Sequence, residues 1–123
     1  MIVLVVDDSQ IVRQRIVDMV SEIVGIDSVS EAGDKHEALN LAYKLRPDVL
    51  ILDIQLPDGN GIDVLKEVRK RGLLPITIIV TNYPYPQYRE KSLKAGAQFF
   101  FDKSSEFYRI PGVVRQLVQS HGN

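Results

Sequence analysis

Five side chains in this sequence could do chemistry together: Asp7, Asp8, Asp53, Thr81 and Lys103. Three carboxylates gathered in a small space repel one another. At a few ångströms each like-charge pair costs on the order of 1–4 kcal/mol at effective dielectrics of about 80 to 20. A protein that keeps such a cluster needs a cation there or a raised pKa. An all-oxygen donor set without His or Cys favours a hard ion, Mg²⁺ or Mn²⁺, over Zn²⁺. Carboxylates, waters and a phosphoryl oxygen are the usual way to hold Mg²⁺. Thr81 and Lys103 add a hydroxyl donor and a cation, both suited to phosphoryl oxygens. The set reads as phosphoryl chemistry on a carboxylate, assisted by a metal. On this reading, relieving the repulsion at Asp53 stabilises the metal-free protein.

These residues act together only if the fold gathers them. Short apolar runs alternate with longer amphipathic stretches. Ile2–Val6 (IVLVV), Val49–Leu52 (VLIL), Ile76–Val80 (ITIIV) and Phe99–Phe101 are apolar runs of strand length. Runs without a polar side read as strands covered on both faces. A weaker strand is predicted at Ser28–Ala32. A first helix is predicted over Ser9–Val24, with Val12, Ile16, Met19, Val20 and Ile23 on one stripe and Gly25 as its stop. Asp34 and Glu37 form a capping box for a second helix bearing Ala38, Leu41, Ala42 and Leu45, which Pro47 ends. Ile62, Leu65 and Val68 mark a third helix ending near Gly72, and Pro86–Ala95 a fourth with proline in its first turn. Val113, Val114, Leu117 and Val118 mark a fifth.

Five strands alternating with five helices imply parallel βαβ units with right-handed crossovers, hence an α/β three-layer sandwich. In such sheets ligands bind beyond the carboxyl ends of the strands. Asp7 and Asp8 follow the first strand, Asp53 the third, Thr81 the fourth, and Lys103 lies just past the fifth. One concave site could therefore gather all of them. Pro57, Gly59 and Gly61 in IQLPDGNG allow a tight turn that brings backbone groups to it. There is no Walker-type phosphate loop, no G-x-G-x-x-G fingerprint and no Ser-His-Asp arrangement.

Composition narrows the class further. A chain of 123 residues fits one domain. With 15 basic against 16 acidic residues, a strongly basic nucleic-acid footprint across the whole chain is excluded. The absence of cysteine removes disulfides, thiolate nucleophiles and cysteine-based zinc sites. His36 and His121 lie too far apart to form a metal-ligand spacing. No apolar run approaches the roughly 20 residues that span a bilayer. The run Ile2–Val6 ends at once in Asp7 and Asp8, which does not suit a signal peptide. A cytoplasmic setting is the expectation.

The acidic pair after strand one, the aspartate followed by LPDGNG, Thr81 and Lys103 occur in an order that resembles the receiver domain of bacterial two-component response regulators, the chemotaxis-type fold. The resemblance spans residues 1–123, either as a stand-alone receiver or as the amino-terminal part of a longer regulator. It implies a flavodoxin-like five-stranded parallel sheet of order 2-1-3-4-5 with helices on both faces. It implies that Asp53 accepts a phosphoryl group from a sensor histidine kinase or phosphotransfer protein. Asp7 and Asp8 would position Mg²⁺, with Mn²⁺ as a substitute, and Asp53 and the backbone carbonyl of Gln55 would complete the protein ligands. Lys103 would pair with a phosphoryl oxygen and Thr81 would hydrogen-bond another. Phe100 stands where the family keeps a switch aromatic that moves with Thr81. The output would be a population shift in the face built from helix four, strand five and helix five, controlling an output domain or partner and offering a surface to a homodimer. Such a module catalyses only its own phosphorylation and dephosphorylation, binds no nucleic acid directly and needs no membrane.

Three local features depart from the family pattern. Asn82 stands where Ala or Gly usually leaves room for the phosphoryl group. Tyr83 and Pro84 make the following loop bulky and stiff. Asn82 and Tyr83 are therefore read as a gate that narrows water access or hydrogen-bonds near the phosphoryl group. Ser104 replaces the proline, often cis, that many members carry after the lysine. A cis bond to serine would cost about 2.5–4 kcal/mol, so a trans bond is expected. Tyr83, Tyr85 and Tyr88 cluster near the fourth helix, either as a partner surface or packed against the prolines. Two alternatives remain. One is a pseudo-receiver that serves only as an interaction module. The other is an aspartate-nucleophile phosphohydrolase of the haloacid-dehalogenase type, which needs a second Asp where this chain has Gln55.

Overall fold

A computed structural model describes residues 1–121. The strands are β1 (Ile2–Val6), β2 (Ser28–Ala32), β3 (Val49–Leu52), β4 (Ile76–Thr81) and β5 (Phe99–Asp102). The helices are α1 (Gln10–Ser21), α2 (Lys35–Leu45), α3 (Gly61–Lys70), α4 (Pro86–Ala95) and α5 (Ile110–His121). The five strands form one parallel sheet in the order β2-β1-β3-β4-β5. A two-residue antiparallel ladder, Gln55–Leu56 against Gly59–Asn60, lies outside that sheet.

Because side chains alternate along a strand, each apolar run feeds two cores. Leu4, Val6, Leu50, Leu52, Ile79 and Phe100 enter one core with residues of α2 and α3. Val3, Val5, Ile51, Ile78, Val80 and Phe101 enter the other with α1 and α5. All four residues of β3 are buried, which is why the central run has no polar position. The edge strand β2 exposes Ser28 and half-buries Val29, Ser30 and Glu31, so its signal in the sequence is the weakest.

α1 ends at Ser21 rather than Val24. The Ile23 N–H turns back to the Val20 carbonyl at 3.2 Å and the Ile26 N–H to the Ile23 carbonyl at 3.1 Å, so the chain leaves the helix early. Gly25 sits at φ 102° against Val118, where a Cβ would lie 2.3 Å from Cγ1 of that residue. The glycine thus works in the turn beyond the helix, not as its immediate cap.

The start of α2 also differs from a simple capping box. Asp34 accepts from the Glu37 N–H at 2.8 Å, as the pattern predicts. The Lys35 and His36 N–H groups are taken by a distant residue, Asp58, at 2.7 and 3.0 Å. The loop after β3 is thereby tied to the first turn of α2. Arg46, in a left-handed conformation at φ 50°, closes α2 just before Pro47.

At the start of α3 the Asn60 side chain accepts from the Ile62 N–H at 2.7 Å. Gly61 lies against the backbone of Asp53, and a Cβ there would be 1.9 Å from the Asp53 carbonyl oxygen. Only glycine lets α3 begin this close to the end of β3. The peptide bonds of the described residues are all trans, including the one between Lys103 and Ser104. Gly61→Ala is expected to lower stability by about 1–3 kcal/mol through this overlap. Urea denaturation measures it, and an unchanged midpoint would refute the packing argument.

Candidate functional site

The carboxyl edge of the sheet holds the site. The Asp7 N–H bonds to the Ala32 carbonyl at 3.1 Å and the Asp53 N–H to the Val6 carbonyl at 2.9 Å, so both residues extend the ladder by one step. Their side chains are buried, Asp7 with 1% and Asp53 with 6% of its surface exposed. Asp8 is exposed at the rim. One carboxylate oxygen from each of Asp7, Asp8 and Asp53 lies within 4.8 Å of the others.

Lys103 reaches this cluster from beyond β5. Its backbone N–H donates to the Thr81 carbonyl at 2.8 Å. Its ammonium donates to Asp7 Oδ2 at 2.6 Å and to Asp53 Oδ2 at 3.0 Å. The remaining oxygens are also engaged: Asp7 Oδ1 accepts from the Ser9 N–H at 2.9 Å and Asp53 Oδ1 from the Ile54 N–H at 2.7 Å. The cation that crowded carboxylates require is therefore present within the chain itself.

The charges nonetheless do not balance. Burial pushes the Asp53 carboxyl above the usual carboxylate range, and the negative Asp7 adds to the effect. The Lys103 charge and the Lys103 and Ile54 hydrogen bonds oppose this without cancelling it. Burial works against the Lys103 charge too, but its bonds to Asp7 and Asp53 hold it above the ordinary lysine value.

Thr81 is fully buried at the end of β4, and its Oγ1 accepts from the Tyr83 N–H at 3.0 Å. Phe100 is buried in the core on the α2–α3 side of the sheet. The Arg89 guanidinium lies 5.8 Å from the Phe100 ring centroid. Asn82 is exposed, and Gln55 exposes its side chain at the start of the small ladder. Tyr83 and Tyr85 are exposed with ring centroids 6.2 Å apart, and Tyr85 lies 6.0 Å from Tyr88. Tyr88 alone of the three packs against the core, so the cluster is exposed at one end and anchored at the other. His36 and His121 are both exposed, and the nearest side-chain partner of His36 is Asn40 at 3.2 Å.

Sequence reasoning missed two supports of the pocket. Arg13 on α1 donates through Nη1 to the Asp7 carbonyl at 2.7 Å and through Nε to Glu31 at 3.3 Å. Asp58 fastens the loop behind Asp53 to α2, as described above. A cation five residues after the acidic pair was the available signal for Arg13, and Asp58 has none, because its partners are backbone groups remote in sequence.

With this geometry in view, the response regulator receiver domain profile matches residues 3–115. The chain belongs to that family. It is 39% identical over 116 residues to a protein-glutamate methylesterase/protein-glutamine glutaminase of Alkalilimnicola ehrlichii, covering 93% of this chain and 29% of that protein. It is 32% identical over 115 residues to the DNA-binding transcriptional activator DevR/DosR of Mycobacterium tuberculosis, covering 94% of this chain and 53% of that one. The receiver domain of the Francisella response regulator 1452 superposes with a TM-score of 0.86 at 29% identity, covering 98% of both chains. The response regulator domain of Thermotoga maritima CheB gives 0.84 at 29% identity, covering 98% of this chain and 94% of that one. This chain thus spans about a third to a half of the two curated relatives. The flavodoxin-like sheet order implied by the resemblance is the one observed. Receiver domains of this family are signalling modules of two-component systems. Among the described residues no helix is long and apolar enough to cross a membrane.

The raised Asp53 carboxyl sets a pH dependence. The unfolded chain loses this proton first, near 3.8, so the fold loses stability as pH rises from there through the higher folded value. Asp53→Asn, measured without divalent metal, is expected to melt higher than the parent at neutral pH and to lose that advantage below pH 3.8. A variant that melts lower at neutral pH would show that Lys103 overcompensates the two carboxylates. Lys103 contributes in the opposite window: its stabilisation is complete below 10.5 and is lost as pH rises through its higher folded value.

Proposed function

We propose that this receiver accepts a phosphoryl group on Asp53 from a histidine kinase or phosphotransfer protein and switches a partner surface in response. The convergence of Asp7, Asp8 and Asp53 around the Lys103 ammonium supports this most directly. A carboxylate oxygen of Asp53 attacks the phosphorus of a phosphohistidine. The new O–P bond forms as the P–N bond breaks, and the imidazole leaves with the electron pair. The product is an acyl phosphate, which water later hydrolyses to restore the carboxylate.

The donor set fits a hard divalent cation: oxygens from Asp7, Asp8 and Asp53 at mutual reach, two of them on buried side chains. Asp7, Asp8, Asp53 and the Gln55 carbonyl would hold Mg²⁺, or Mn²⁺ in its place. The ion supplies charge neutralisation for the phosphoryl oxygens. Lys103 already bridges Asp7 and Asp53, so it can turn from Asp53 to a phosphoryl oxygen while keeping its bond to Asp7. The Thr81 hydroxyl lies at the adjacent strand end and donates to another. The phosphohydrolase alternative has no proton donor, because Gln55 stands where that chemistry needs an acid.

The switch surface would be α4–β5–α5. α4 buries fewer side chains than any of the other four helices. Its one buried side chain is Ser92, whose hydroxyl has no hydrogen-bond partner among the described residues. It has no side-chain N-cap, and Leu93 and Tyr85 lie exposed on or beside it. Few apolar contacts and an unpaired buried hydroxyl leave α4 cheap to shift. Movement of Thr81 draws on the Tyr83 N–H, and Phe100 lies beneath Arg89 of α4, so both connect the pocket to this face. The face serves an output domain, a partner protein or a second copy of the chain.

Incubation with acetyl phosphate and Mg²⁺, followed by intact mass measurement, tests the reading. The expected result is a gain of one phosphoryl group, absent in Asp53→Asn and without the metal. A parent chain that stays unmodified would overturn it. Asn82 and Tyr83 form the gate to attacking water in this proposal, so Asn82→Ala is expected to shorten the acyl-phosphate lifetime several-fold. An unchanged rate of phosphate release would remove the gate.

A further inference from the structure

The Lys103 ammonium must hold its place over two buried carboxylates, yet the residue after it is Ser104, which lacks the conformational restriction of proline. The loop instead carries a closed hydrogen-bond circuit. Asp102 Oδ1 accepts from the Ser104 N–H at 2.9 Å and from the Ser104 hydroxyl at 2.7 Å. Its carboxylate thus reaches across Lys103 and fixes the peptide on the far side. Glu106 Oε1 accepts from the Asp102 N–H at 3.0 Å, while the Glu106 N–H donates to the Asp102 carbonyl at 2.8 Å. The second Glu106 oxygen accepts from Arg109 at 2.9 Å, and the Arg109 guanidinium lies 4.8 Å from the Phe101 ring centroid. The circuit therefore ends on a buried aromatic of the sheet.

Lys103 is the one residue between Asp102 and Ser104, and its own N–H is tied to β4. Its backbone is held on both sides, and only its side chain leaves the loop toward the pocket. Both acidic residues also sit below their ordinary carboxyl values. The Ser104 hydroxyl and N–H hold Asp102 down, and the Asp102 N–H and Arg109 hold Glu106 down, so both accept as full carboxylates.

We propose that Asp102 and Glu106 are positioning residues that aim the Lys103 ammonium at Asp7 and Asp53, doing with hydrogen bonds what a proline at position 104 would do with its ring. The inference rests on the phosphoacceptor reading for its kinetic consequence, but not for the placement of the lysine. It carries a signature that general damage to the pocket would not produce. The ammonium and a divalent ion compete for the same Asp7 and Asp53 carboxylates. A loosened lysine slows phosphoryl transfer yet leaves Mg²⁺ binding unchanged or tighter, whereas a distorted pocket weakens both.

The test compares the parent, Asp102→Ala and Asp102→Asn. Asn keeps the Oδ1 acceptor and loses the charge. Three readings are taken: the nitrogen-15 signal of the Lys103 ammonium at low temperature, Mg²⁺ affinity from amide shift titration, and the rate of modification by acetyl phosphate. In D102A the ammonium signal is expected to broaden through exchange with water and modification to slow about tenfold, with Mg²⁺ affinity equal or higher. D102N is expected to restore all three readings to the parent's. A D102A protein that keeps the ammonium signal and the parent rate overturns the inference, as does one that loses Mg²⁺ binding in step with its rate. Should D102A unfold below the assay temperature, Glu106→Ala is read in the same way against Glu106→Gln. If the parent itself takes no phosphoryl group, the phosphoacceptor reading fails, and the ammonium signal alone decides whether Asp102 places the lysine.

Discussion

Everything in this molecule that bears on function depends on one ammonium group shared between two buried carboxylates contributed by different strands. Asp7 follows β1, Asp53 follows β3 and Lys103 follows β5, so this ion triad joins three segments far apart in the chain. Removing Lys103 would leave two buried carboxylates without compensation, a kind of loss that commonly costs about 3–5 kcal/mol. The arrangement is also poised. Burial disfavours the charged form of Asp53, so a further cation beside it is favoured.

The parallel sheet makes the triad unavoidable. In a parallel sheet every strand delivers its carboxyl end to the same edge, and the register carries Val6 beside Leu52 so that the residues after them become neighbours. The apolar alternation that fills two cores leaves no room for these carboxylates inside the layers, so they stand at the first position where the sheet gives out. Gly61 adds a geometric condition: α3 can start against the Asp53 backbone only because it brings no side chain there. Packing, topology and chemistry therefore constrain the same few residues.

Much of this could be read from residue order. The continuous runs of β1, β3 and β4 have no polar position because both faces are covered, and this pattern is visible without coordinates. The extent of α4 expected from proline in its first turn, Pro86–Ala95, matches. The end of α1 was hidden, because a turn packed against Val118 overrides a continuing apolar stripe. The gathering of Asp7, Asp8, Asp53 and Lys103 followed from strand ends alone. The bond that pairs Lys103 with Asp7 and Asp53 did not, since spacing locates a side chain's base but not its tip. Arg13 offered a signal only in its spacing from the acidic pair, and Asp58 and the Asp102–Glu106 circuit offered none, as they act largely on backbone groups whose exposure is decided only after folding.

The Asp58 bonds to Lys35 and His36 bear on how this domain can be rebuilt. They make the loop behind Asp53 and the opening turn of α2 one mechanical part, although 22 residues separate Asp58 from His36 in the chain. Grafting α2 from another protein, or shuffling segments at Gly33, divides that part unless both halves travel together. A chimera that keeps every pocket residue but mismatches this pair would present intact chemistry on a misaligned mount.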